Sequence, residues 1–207
     1  MIYNTPGIVT AVSNYDTLSN AMHRTDSPDR SDEELIRSYL NGEEEALRML
    51  IARYLRPMYH FTYRYTASGP DAEDVTQEVF AKVWKNLKRY DERTSFRAWL
   101  FAIAKNTAID WLRKRKIEPA STIDEEMTDA LIDPAPLPSE IAETKMTASA
   151  VGEAAGRLEP GARTVLRFRY DDGLTFREIA GILKKPLDTV KSQHRRALAK
   201  LRALLKT

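Results

Sequence analysis

From Ser31 onward the apolar residues recur every three or four positions, in two runs with an aperiodic stretch between them. That spacing puts them on one face of an α-helix. In the first run, Ser31 and Glu34 form a capping box that opens a helix. Leu35, Ile36, Tyr39 and Leu40 share its inner face, and Asn41-Gly42 stops it. A second helix carries Ala46, Leu47, Leu50, Ile51, Tyr54 and Leu55, and is predicted to run past Pro57 until Ser68-Gly69-Pro70 breaks it. A third spans residues 71 to about 87 and buries Val75, Val79, Phe80, Val83 and Trp84. After a polar loop at 88–94, a fourth runs from 95 to about 116 and buries Phe96, Trp99, Leu100, Ile103 and Leu112. Trp99 and Phe96 fall on this period, so core packing explains them better than a role as stacking platforms.

The second run predicts helices at 139–158, 160–170, 175–183 and 187–205, with Pro160 at a first helical position, where its missing N–H costs nothing. Residues 117–138 hold four prolines, many acids and no apolar period, too little to bury a core alone. Residues 1–30 are polar and aperiodic and are predicted to be disordered, with Met22 a second candidate start. No β pattern stands out. The expected fold class is all-α: two small helical domains, a four-helix domain at 31–116 and a helix-turn-helix domain at 139–207, joined by a flexible acidic linker at 117–138.

Charge sharpens this division. The net charge is only +2, but residues 148–207 hold thirteen lysines and arginines against six acids, whereas 117–147 hold eight acids and one lysine. A basic module behind an acidic connector points to nucleic acid. No stretch reaches the ~18 apolar residues of a membrane span, and the amino terminus lacks a secretory pattern, so the chain is expected in the cytoplasm with no membrane insertion. The absence of cysteine excludes disulfides, thiolate metal sites and cysteine nucleophiles. His23, His60 and His194 have no metal-ligand spacing. No cofactor or metal is expected, and no catalytic residue.

Within the basic module, Thr175-Phe176-Arg177-Glu178 is a capping box leading into Ile179, Ala180, Ile182 and Leu183. Lys184-Lys185-Pro186 is a short break, and a longer basic helix begins at Leu187. A short apolar helix, a three-residue turn and a basic helix make a helix-turn-helix. Leu187, Val190, Ala197, Leu198, Leu201 and Leu205 form the inward stripe of the last helix. Lys191, Ser192, Arg195 and Arg196 are left facing out, where Lys and Arg suit guanine edges or phosphates. The bland alternative is a solvated basic face on a structural helix hairpin.

Two faces of the first domain also carry chemistry. Asp71, Asp74 and Glu78 share a face of the third helix, with Glu73 and Gln77 adjacent. Clustered carboxylates can hold magnesium, but this spacing spreads them over two turns with no nucleophilic motif nearby, so a solvated face is the better reading of the residues alone. On the fourth helix, Asn106, Asp110 and Arg113 form a stripe opposite the core face.

Residues 158–201, LEPGARTVLRFRYDDGLTFREIAGILKKPLDTVKSQHRRALAKL, resemble the minus-35-binding domain of the extracytoplasmic-function (ECF) sigma factors, a subfamily of the bacterial sigma-70 family. DAEDVTQEVFAKVWKNL (71–87) resembles that family's polymerase-binding helix, and SFRAWLFAIAKNTAIDWLRKRK (95–116) its minus-10-reading helix. The resemblance covers about 31–207, with three motifs in the family's order. It implies a transcription initiation factor that binds core RNA polymerase through the β′ coiled coil and the β flap, and promoter DNA both as duplex and as melted single strand. It also implies an anti-sigma partner. By the same resemblance, Asp71, Asp74, Gln77 and Glu78 would meet polymerase arginines. Asn106, Asp110, Arg113, Lys114 and Arg115 would serve the minus-10 element, with the loop at 90–95 facing the non-template strand and Lys105 and Lys116 adding phosphate contacts. Lys191, Ser192, Arg195 and Arg196 would serve the minus-35 element. Asn106 suits a flipped base because its amide both donates and accepts. Asp110 either accepts from a cytosine amino group or pairs with Arg113. The chain departs from the family where Gln193 and His194 follow TVKS in place of Arg and an aliphatic residue, so the family's minus-35 preference does not transfer. A stand-alone helix-turn-helix regulator would account for 158–205 alone, and a nuclease or recombinase would rest only on the acidic helix.

Overall fold

The computed structural model describes residues 30–115 and 154–204, and the readings for residues 1–29, the connector and most of the helix at 139–158 lie outside them. Every regular element among the described residues is helical: α1 (Asp32–Leu40), α2 (Glu44–Thr66), α3 (Gly69–Asn86), a 3₁₀ turn (Leu87–Arg89), α4 (Phe96–Arg115), α5 (Pro160–Tyr170), α6 (Phe176–Leu183) and α7 (Leu187–Leu204).

The local signals form as read. The Ser31 hydroxyl accepts from the Glu34 N–H at 3.2 Å while the Glu34 carboxylate accepts from the Ser31 N–H at 2.7 Å, a cap worth ~0.5–2 kcal/mol. α1 ends at Asn41, followed by Gly42 at φ +102°. α2 takes Pro57 into its interior and ends at Ala67, which is left-handed at φ 51°. The break after α2 is shorter than expected. Gly69 and Pro70 belong to the first turn of α3, because a proline there gives up only an N–H that has no helical partner.

α1 to α4 pack around Leu35, Ile36, Met58, Phe61, Val75, Leu100 and Phe101, all of them fully buried. The expected inner face of α1 is narrower than its period suggests: Tyr39 packs at the core edge against Trp84, but Leu40 is 44% exposed. α4 differs more. Its buried residues are Phe96, Leu100, Phe101, Ala104, Lys105, Thr107, Ala108 and Ile109, while Trp99, Ile103 and Leu112 are only partly covered. The cause is that α4 is packed on three sides, by α2, α3 and α6, so no single stripe describes it.

In the second group, Thr175 caps α6 with Glu178 in a complete capping box, and Lys184 closes it in the left-handed region at φ 51°. Val190 and Ala197 of α7 are buried, and Leu198 and Leu201 are half-buried. The two groups are not merely tethered. Phe61 of α2 stacks on Phe168 of α5 at 6.0 Å, and α6 lies along α4. The two helical groups are those expected, and a contact that the sequence pattern did not announce joins their cores.

Candidate nucleic-acid interface

On α3, Asp74 and Gln77 are exposed and make no side-chain bond to the described residues. The other two expected docking residues are already engaged: Glu78 pairs with Lys82 at 2.9 Å and Asp71 with Arg115 at 2.6 Å. The Ser68 hydroxyl and the Arg115 guanidinium hold the Asp71 carboxyl below its ordinary range, against the effect of burial. Among the described residues no three of His, Cys, Asp and Glu gather as a metal ion would require.

Arg115 thus ties the end of α4 to the start of α3, and its guanidinium also lies over the Trp111 ring at 4.8 Å. Asn106, Asp110, Arg113, Lys114 and Arg115 are all exposed on α4. Asn106 stands out because its neighbours Ala104, Lys105, Thr107, Ala108 and Ile109 are all buried. Lys105 is a correction: at 5% exposure it faces the interior and cannot hold a backbone phosphate. Asp110 lies 3.8 Å from Arg113, an intrahelical pair at the outer limit of contact. Phe96 and Trp99 are engaged with each other and with Tyr90, at centroid distances of 5.3–5.9 Å, so they pack as expected and offer no open platform. The loop at 91–95 is exposed and braced internally. Thr94 Oγ1 donates to the Asp91 carbonyl at 2.9 Å, and Arg93 pairs with the Asp91 carboxylate.

On α7, Lys191, Arg195 and Arg196 project into solvent. Ser192 is half-buried and donates its hydroxyl to the Thr189 carbonyl at 3.0 Å, so it is less available than its three neighbours. Gln193, Arg196 and Lys200 line a groove with the first turn of α5, Pro160 to Ala162. His194 is half-buried as expected. It stacks on Tyr170 at 5.7 Å, meets Phe176 edge-on at 4.9 Å and shares a 3.1 Å hydrogen bond with the Tyr170 hydroxyl. Burial, then the charge of Arg169, holds its imidazole below the usual histidine range.

Three residues that sequence reasoning passed over, Arg64, Arg97 and Asp172, join the two groups, together with Ser95 and Glu178. Arg64 grips the Asp172 carboxylate with one nitrogen at 2.7 and 2.8 Å from the two oxygens. Arg97 donates to the Asp172 carbonyl, and the Ser95 hydroxyl donates to Glu178 at 2.6 Å. Glu178 is thus both the cap of α6 and a contact of the loop that precedes α4. The available signal was slight: Asp171-Asp172-Gly173 reads as turn chemistry, and nothing in a turn announces a distant arginine.

An acidic helix, an exposed strip on a neighbouring helix and a helix-turn-helix with a basic outer face lie together in one chain, an arrangement of the DNA-binding class. Sigma-70 region 2 matches residues 50–117, and sigma-70 region 4 matches residues 154–203. The chain is 31% identical over 182 residues to the ECF RNA polymerase sigma factor RpoE of Cereibacter sphaeroides, covering 86% of this chain and 97% of that protein. It is 29% identical over 177 residues to the ECF RNA polymerase sigma factor SigW of Bacillus subtilis, covering 83% and 95%. Among solved structures, CnrH in complex with the cytosolic domain of CnrY is similar at a TM-score of 0.60 and 25% identity, covering 86% of this chain and 98% of that one. The chain belongs to the ECF sigma factors of the sigma-70 family. Its function is that of a sigma factor: it binds core RNA polymerase, recognises the minus-35 and minus-10 promoter elements and promotes DNA melting.

Proposed function

We propose that three faces divide this work. The exposed strip of α3 around Asp74, Gln77 and Glu78, with Asp71 at its start, docks on the β′ coiled coil. There carboxylates meet arginines in charge-assisted pairs. Glu78 exchanges Lys82 for a polymerase partner, a cheap exchange because exposed pairs contribute only ~0–1 kcal/mol. The strip Asn106, Asp110, Arg113, Lys114 and Arg115 serves the minus-10 element, whose bases must leave the stack before their pairing edges can be read. Lys191, Arg195 and Arg196, with Ser192 behind them, serve the minus-35 element from the major groove. The division into 31–116, 117–138 and 139–207 belongs to the same reading, with 139–207 also meeting the β flap.

The observation that carries it is Asn106, a polar side chain held out of a helix whose adjacent residues on both sides are buried. A residue with no packing role there is free to read. Promoter-library transcription with wild type and Asn106→Ala tests this, since a contact residue alters base preference whereas a structural one lowers only overall activity. Binding and opening DNA need no covalent chemistry by this chain, and the polymerase makes the phosphodiester bond. A cytoplasmic location follows from the polymerase partner, and no described helix is long and apolar enough to cross a membrane. An anti-sigma protein is a further partner of this reading, supported by the similarity to CnrH, solved with a second protein bound.

A further inference from the structure

Asn106 has no cation of its own helix beside it on the surface of α4. Arg97, before it, donates to the Asp172 carbonyl, and Lys105 faces the interior. The next cation along the helix is Arg113, about 10 Å further along the axis at 1.5 Å per residue. Arg115, beyond that, is held by Asp71 and lies over Trp111. The first charge after Asn106 on the exposed strip is the Asp110 carboxylate, which repels a phosphate. A strand laid along the strip with a base at Asn106 therefore meets no phosphate partner from α4 at that level.

α3 supplies one. The Lys82 ammonium donates to Thr107 Oγ1 at 3.1 Å and pairs with Glu78 Oε1 at 2.9 Å. Thr107 directly follows Asn106 and is 1% exposed, so its hydroxyl fixes the ammonium at the α3–α4 junction, beside the reading side chain. Lys82 is not buried with it. Its side chain is 39% exposed, and an ammonium has three donors, so one is left for an acceptor arriving from solvent. A helical threonine is able to place its hydroxyl on the carbonyl four residues back. Thr107 therefore does not require a lysine, and the charge calls for a further partner.

The present counter-ion of Lys82 is the carboxylate assigned above to the polymerase. In that exchange Glu78 turns to a polymerase arginine, while Lys82 keeps Thr107 and is left with an unpaired charge beside the strip. A phosphodiester matches it, with one negative charge and oxygens that accept from an ammonium.

We propose that Lys82 is a DNA contact carried by the polymerase-docking helix: held by Thr107, it binds the non-template phosphodiester beside the base addressed by Asn106. It takes the phosphate contact that the resemblance gave to Lys105. The site rests on the assignment of the α4 strip to the minus-10 element.

The test uses holoenzyme, core RNA polymerase with the full chain, and fork-junction promoter DNA whose non-template minus-10 strand is single. Lys82→Gln keeps a donor for Thr107 and removes only the charge. It should flatten the log–log salt dependence of DNA binding by about 0.7, the share of one single-strand phosphate. Co-purification with core polymerase and helical circular dichroism should be kept, and Lys82→Arg should restore the slope. A neutral methylphosphonate, placed in turn at each non-template linkage of the element, identifies the phosphate. One linkage should weaken binding by the unaltered chain and have no effect on Lys82→Gln. Equal salt slopes for the unaltered chain and a folded, core-bound Lys82→Gln would overturn the proposal, as would methylphosphonate profiles that do not differ between them. Loss of core binding by both Lys82→Gln and Lys82→Arg would also overturn it, making Lys82 part of the docking face. A base preference unchanged by Asn106→Ala counts against the minus-10 assignment alone, because the salt slope and the methylphosphonate profile do not depend on which base is read.

Discussion

At Asn106 the amide points away from a helix whose neighbouring side chains on either side point in. Replacing it by alanine should leave the fold unchanged and remove ~1–3 kcal/mol of discrimination at one minus-10 position, roughly five- to a hundred-fold between bases. Transcription from a randomised minus-10 library checks this, and an unaltered base profile would make the residue structural. Asp110 was open between base contact and pairing with Arg113, and a 3.8 Å separation leaves its carboxylate available for either. His194 yields a different expectation. Its imidazole sits among Tyr170, Phe176 and Arg169 with its folded pKa depressed, so the unfolded chain takes up the proton first. The associated stability is present above the unfolded value near ~6.5 and is lost as pH falls through the depressed folded value. Thermal unfolding followed from pH 7.5 to 5 should show the loss, and His194→Leu should flatten it. An identical slope in the variant would remove His194 as the cause. Its placement was legible in the inward period of the last helix, but the aromatic pair around it was not, because Tyr170 and Phe176 belong to other helices.

Among the elements, the caps and turns were the most readable, since each is fixed by residues within four positions of one another. Ser31 with Glu34 and Thr175 with Glu178 both form the expected boxes, and α5 begins at Pro160 as its sequence requires. α4 was the least readable. Three neighbours cover it, so Lys105, which the resemblance set against a phosphate, lies inside. For α3, Asp74→Lys with Glu78→Lys should abolish co-purification with core polymerase while keeping the helical circular dichroism. Undiminished binding by the folded double variant would move the docking face elsewhere. For α7, Arg196→Ala should flatten the log–log salt dependence of DNA binding by about one unit if it holds a phosphate, or relax sequence choice if it holds a base. A variant unchanged in both would discount the face assigned to that helix.

At the scale of the whole molecule, the division into two helical groups and their family was legible from motif order, while the seam between them was not. Arg64, Arg97 and Asp172 look like ordinary solvated charges one helix at a time. Only the tertiary arrangement brings Arg64 and Asp172, 108 positions apart, into one ion pair. Breaking a buried pair by removing one partner typically costs ~3–5 kcal/mol, and this pair lies on the contact between the two groups of helices. The central claim remains that this chain selects and opens promoters as part of a polymerase holoenzyme. It is tested most directly by run-off transcription from a promoter library with core RNA polymerase, with and without the full chain. The account predicts starts that appear only when the chain is present and that depend on both a minus-35 and a minus-10 element. A chain that binds duplex DNA alone yet neither co-purifies with core polymerase nor produces a start would contradict it.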